Sequence, residues 1–330
     1  MKRRSLLGAL SAAALFLPFK TFAQSATTPA AKLRRVAVLT PGVAAAEQRI
    51  IRPFYDGMRE FGWVEGRNVQ YDRAYADNDH ARLPVLAADL VKRHPEVIFA
   101  PPSPAALAAS RATRTIPVVF SMNTDPVKQG LVSNLARPGG NVTGVTYVFD
   151  SIAPKRVEIL KLLLPRAKHV GVLFDPSDAG AQADVRALEE MKARLGVSVV
   201  PEAVRSSQEL DGAMDKLLAQ APDAILITGT LLFNLRQRVF ERASARRTPV
   251  TGATLQTAED GALFAYGYSL DERIRRGAYY VDRILKGAKP GELPVEQLSK
   301  LELVVNLRVA KSLGIEIPAA ALLRADRVIE

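Results

Sequence analysis

Short apolar runs alternate with longer stretches of helical periodicity along almost the whole chain. Residues 35–40 (RVAVLT) read as a continuous apolar strand and 45–61 as a helix stopped at Gly62. Strands are expected at 68–74, 97–100 and 117–120, with helices at 81–93 and 104–113 between them. Pro126 suits the first turn of a further helix ending near Ala136, because that turn needs no amide donor. Arg137-Pro138-Gly139-Gly140 then turns the chain into a strand at 143–147. A second series follows, with helices at 152–164, 181–195, 208–219, 232–244 and 270–286. Its strands are expected at 169–174, 197–200, 224–228, 249–251 and 263–266.

Such alternation is the signature of parallel sheets with helices on both faces. The two series also echo one another. Segment 97–107 (VIFAPPSPAAL) is answered by 224–234 (AILITGTLLFN), and 111–118 (RATRTIPV) by 242–250 (RASARRTPV). The expected fold class is α/β, with two similar parallel-sheet lobes facing across a cleft. Residues 33–147 with 267–290 form the first lobe, and 148–266 with 300–330 the second. The chain then crosses between lobes at 147–151, 267–271 and 289–300, a three-segment hinge. Hinges of this kind concentrate backbone rotation in a few loop residues, so cleft closure is the expected motion.

In open α/β sheets, ligands bind beyond the carboxyl ends of the strands, often at helix starts. The loops that reach this position are 40–42, 100–103 and 121–125 in the first lobe, and 175–178, 229–230 and 254–256 in the second. They nominate Thr40, Ser103, Asn123, Thr124, Asp125, Asp175, Thr230 and Gln256 as ligand contacts. Ser103 either caps its helix or holds a ligand carboxylate, and Asp125 before Pro126 also suits a plain N-cap. Asp175 ends an apolar strand beside Pro176; it is either a turn aspartate or the partner of a ligand ammonium. Tyr147 and Phe233 lie at a crossover and a cleft loop, where they either stack on an apolar ligand or pack the hinge. Trp63, in a helix-to-strand turn at the opposite end of the sheet, reads as structural.

Composition narrows the chemistry. His80, His94 and His169 are the only histidines, and none has a partner at metal or triad spacing. There is no H-E-x-x-H, P-loop or G-x-S-x-G pattern, so no metal, cofactor or catalytic residue is expected. The chain has no cysteine, which excludes both a disulfide framework and a lipidated cysteine. Net charge is +11; Lys2, Arg3, Arg4 and Lys20 carry four of these, no acid lies in 1–23, and +7 remains on 24–330. The remaining arginines are scattered, as in Arg246-Arg247 and Arg275-Arg276, so nucleic acid is not an expected partner.

The first residues read as an export signal. Lys2, Arg3 and Arg4 precede a short apolar run at 6–19, and Thr21-Phe22-Ala23 offers a cleavage site after Ala23. Arg3-Arg4 followed by Ser5-Leu6-Leu7 fits a twin-arginine signal as well as an ordinary secretory one. Residues 24–32 read as a disordered leader. No later segment is long and apolar enough for stable membrane insertion.

Residues 125–144, DPVKQGLVSNLARPGGNVTG, resemble a pattern of the ABC-transporter substrate-binding proteins of the tryptophan/tyrosine type. The likeness extends to 62–69 (GWVEGRNV), 83–90 (LPVLAADL), 279–294 (YYVDRILKGAKPGELP) and 301–330, and so to nearly all of 33–330. It implies a type I periplasmic binding fold and a monomeric periplasmic receptor. Such a receptor carries a small molecule, an amino acid or a related organic solute, to an ABC permease. A periplasmic sensor of the same fold, or a secreted hydrolase, are the alternative functions. The export signal argues against a repressor of related fold.

Overall fold

The structure, a computed structural model, describes residues 33–147 and 151–330. The expected export signal and leader, and residues 148–150 of the expected first crossover, lie outside the described residues.

Two sheets organise the chain. The first contains β1 (Arg34–Thr40), β2 (Val69–Tyr75), β3 (Val97–Ala100), β4 (Val118–Met122) and β5 (Val142–Thr146). The second contains β6 (His169–Phe174), β7 (Ser198–Ala203), β8 (Ala224–Thr228), β9 (Val250–Thr254) and β10 (Phe264–Tyr268). Late segments complete both sheets: β11 (Glu296–Gln297) joins the first, while β12 (Glu302–Asn306) and β13 (Arg327–Ile329) join the second. The orders are β11-β5-β4-β3-β1-β2 and β13-β12-β10-β9-β8-β6-β7. The β2-β1-β3-β4-β5 arrangement thus recurs as β7-β6-β8-β9-β10, and every pairing is parallel except β10 with β12.

Burial explains why the central strands are unbroken apolar runs. Every residue of β3, β4, β5 and β8 is buried, as parallel strands covered on both faces must be. One face of the first sheet is covered by the helices Leu83–Lys92 and Ser103–Ala112, through Leu83, Ala87, Leu90 and Ala105. The other is covered by Ala44–Glu60 and Leu270–Leu285, through Phe54, Ile274 and Val281. Phe99 of β3 stacks on Phe54 there, with ring centroids 4.2 Å apart. Phe99→Ala is expected to cost about 3–5 kcal/mol in chemical denaturation, the usual penalty for emptying a buried aromatic site. Trp63 donates its indole hydrogen to Asp282 at 2.9 Å, which fastens the same helix pair.

Four details differ from the sequence reading. The helix expected after Pro126 is a series of turns, closed by Gln129 N–H to Asp125 O at 3.1 Å and Gly130 N–H to Val127 O at 2.9 Å. Gly130 adopts a φ of 69°, and Leu131 and Val132 then enter the core instead of continuing outside it. The helix expected at 232–244 is two, Thr230–Asn234 and Arg236–Ser244, which meet at Leu235. The guanidinium of Arg236 there turns back to the Phe233 carbonyl at 2.6 Å. Residues 254–256, expected as a loop, open a short helix, Leu255–Asp260. Gly267, assigned above to the first lobe, pairs with Glu302 in the second sheet, so the crossover begins after Tyr268.

Candidate functional site

The carboxyl ends of both sheets face a cavity of about 420 Å3, within the range of small-molecule sites. The lobes touch around it. Asn234 donates to Asn78 at 2.9 Å, Arg49 pairs with Asp260 at 3.0 Å, and His80 Nδ1 lies 3.4 Å from Asp175 Oδ2. In each pair one residue belongs to the first lobe and the other to the second.

The nominated residues divide into two groups. Asn123, Thr124, Asp125, Thr230 and Phe233 line the cavity. Thr40, Ser103, Tyr147, Asp175 and Gln256 do not, each for a visible reason. Thr40 is fully buried at the end of β1. Ser103 is the first residue of its helix rather than the cap, and its hydroxyl bonds Thr124 Oγ1 at 2.8 Å. Tyr147 is buried against Tyr268, with ring centroids 4.7 Å apart. Asp175 folds back on its own turn, where Oδ1 accepts from Ser177 N–H at 2.8 Å and Ser177 Oγ at 2.7 Å. Gln256 accepts from Leu270 N–H at 3.1 Å, which ties the crossover to the short helix of the second lobe. Among the residues that line the cavity, Asp125 also acts as a local cap, accepting from Val127 and Lys128 N–H.

Two buried charged residues on the cavity wall were not nominated by the sequence and have no ion-pair partner among the described residues. Arg273, on the helix Leu270–Leu285, is only 4% exposed. Its guanidinium lies over the Tyr268 ring at 4.9 Å, yet Nε and Nη1 are buried without a hydrogen-bond partner. It makes no ion pair among the described residues. The helical pattern held a signal for it: Leu270, Ile274, Gly277 and Val281 form the buried stripe, and Arg273 falls within that stripe. A cation placed on an apolar face needs an anion, and none pairs with it among the described residues.

Asp178 is the second. It caps the helix Ala179–Leu195, with Oδ1 accepting from Gly180 and Ala181 N–H at 2.9 and 3.2 Å. Oδ2 accepts from Thr230 N–H at 3.2 Å. Its charge has no cation partner among the described residues, and burial pushes its carboxyl above the ordinary range despite the amides. Asp184, by contrast, is neutralised by the buried Arg156 at 2.9 Å and also accepts from Ser151 Oγ and Thr228 Oγ1. Tyr268 sits within electrostatic reach of Arg273, Asp178, Arg156 and Asp184, and burial raises its phenol. The wall also has an apolar part, with Ile50, Ile152, Ile227, Leu270 and Ile274 among its residues. One face of Phe233 is covered by the Arg236 guanidinium at 4.0 Å.

A tyrosine-binding protein of Clostridioides difficile is 28% identical over 263 residues, 80% of this chain and 76% of its own length. The crystal structure of a Streptococcus pneumoniae ABC domain in complex with L-Trp is 27% identical, with a TM-score of 0.79 over 90% of this chain and all of that one. A ligand-free, open substrate-binding protein with adhesive properties from Clostridium difficile is equally similar in sequence, at 27% over 90% of this chain and 99% of its own. Its TM-score is only 0.60. At equal identity the higher score goes with the ligand-bound structure, in keeping with lobes that touch here. The family model described as ABC transporter substrate binding protein matches residues 35–329, and the chain belongs to that family.

Proposed function

We propose that this receptor recognises a free amino acid as a zwitterion, with Arg273 holding the carboxylate and Asp178 the ammonium. The observation that carries the reading is a buried guanidinium and a buried carboxyl, neither ion-paired among the described residues, on the wall of one cavity. Each costs free energy alone and is compensated by a ligand of matching charge. Asn123, Thr124 and Thr230 add polar contacts from both lobes, and the isoleucine-rich wall accepts an apolar side chain. The tyrosine and tryptophan relatives support the amino-acid class.

In this reading the protein is exported, its signal removed near Ala23, and it works in the periplasm as a monomer without catalysis. Closure around the ligand creates the surface that the permease recognises. The direct test is calorimetry on protein unfolded and refolded to strip ligand. Free amino acids should bind, while their carboxamides and their des-amino analogues should bind at least about 100-fold more weakly, the scale for leaving a buried charge unpaired. Equal binding of the carboxamide, or binding only of uncharged solutes, would overturn the assignment.

A further inference from the structure

We propose that the contact between Thr124 and Gly180 is the stop that sets how far the lobes close, so that position 180 must remain without a side chain. The inference rests on the cleft being one that opens and shuts, and it adds a residue that governs affinity by limiting that motion.

Gly180 is the second residue of the helix Ala179–Leu195, on the rim of the second lobe. A Cβ built on it would lie 2.9 Å from Thr124 Cγ2, on the rim of the first lobe. Real Cβ atoms do not approach that closely, so one partner must move. The φ of Gly180 lies outside the left-handed region, so backbone conformation does not demand glycine there. Helix propensity favours alanine at such a position. Space across the cleft is what alanine lacks.

Neither side yields easily. Thr124 is held from three directions: Oγ1 bonds Ser103 Oγ and accepts from Gln129 Nε2, both at 2.8 Å, and its carbonyl accepts from Thr146 Oγ1 at 2.7 Å. Gly180 is fixed by the cap, its N–H donating to Asp178 Oδ1 at 2.9 Å. An added methyl is therefore accommodated by parting the lobes, which lengthens the Asn78–Asn234 and Arg49–Asp260 contacts together. The same methyl would come within 3.2 Å of Asp178 Oδ1 inside its own lobe, and the experiment has to separate the two contacts.

The cysteine-free chain makes closure measurable without a ligand. In the N78C/N234C variant, dibromobimane joins the two thiols and fluoresces only when the lobes bring them together. The parent variant should cross-link readily. Adding Gly180→Ala should slow cross-linking at least about tenfold, equivalent to 1.4 kcal/mol against the closed state, while the melting temperature stays at or above that of the parent. Adding Thr124→Ser as well, which removes only the obstructing methyl and keeps the hydroxyl, should restore the parent rate. Failure of the parent to cross-link, an unchanged rate in Gly180→Ala, or no recovery with Thr124→Ser in a folded protein would each overturn the closure stop. L-Tryptophan and other amino acids are then added to the parent. Their failure to accelerate cross-linking would count against the amino-acid reading alone.

Discussion

Arg273→Met is expected to lose binding of carboxylate ligands by about 30-fold to several thousand-fold, and at the same time to stabilise the ligand-free protein. The two effects share one cause. The guanidinium is buried, its Nε and Nη1 have no hydrogen-bond partner among the described residues, and the folded protein therefore bears its desolvation cost without ligand. Truncating one member of a buried charge pair costs about 2–5 kcal/mol in binding, which gives the range above. Replacing an uncompensated buried charge with an apolar side chain of similar volume gains up to about 1–4 kcal/mol in folding. Calorimetry reads the first effect and urea unfolding of stripped protein the second. A variant that loses binding and is also less stable would mean that Arg273 holds the hinge helix rather than the ligand. Arg273→Lys keeps the charge but not the planar fork, and an intermediate affinity is expected.

Asp178→Asn should weaken binding of amino acids by about 100-fold and largely erase the preference for an amino acid over its des-amino analogue. If its amide oxygen continues to cap the helix, its NH2 faces the Thr230 amide, and that lost bond costs about 1–3 kcal/mol of stability. The pH dependence gives an independent readout. Burial raises the folded carboxyl above its unfolded value, so native ligand-free protein binds the extra proton. Its contribution to stability is complete below the unfolded pKa and is lost as pH rises through the folded one. Ligand affinity runs the other way, because the ammonium needs the ionised form, and it should fall as pH is lowered through the raised pKa. The asparagine variant should lack both trends. Their persistence in it would place the ammonium elsewhere.

The sheets were legible because buried parallel strands are continuous apolar runs. Segments such as 97–100 and 224–228 announce themselves without knowledge of their neighbours. The segment after Pro126 was misread because Leu131 and Val132 are drawn into the core by tertiary contacts, and helical spacing cannot register that. The site was half legible. Loop position alone put Asn123, Thr124, Asp125, Thr230 and Phe233 on the cavity wall. It nominated Asp175 from the short turn that also holds Asp178, since only the fold shows which carboxylate turns back on Ser177 and which accepts from the Thr230 amide. Arg273 was missed because it comes from the helix after the crossover, not from a loop at a strand end.

The late completion of both sheets has a consequence for biogenesis. The helix Leu270–Leu285 covers Phe99 of the first sheet and packs beside Phe54 of the helix Ala44–Glu60, and β12 and β13 extend the second sheet only from residue 302 onward. A nascent chain emerging from the ribosome therefore carries two incomplete sheets until residues 270–329 have emerged. Neither lobe can be stored as a finished co-translational intermediate, and both mature together. Until those residues arrive, the apolar face of the first sheet and the edge of the second stay open.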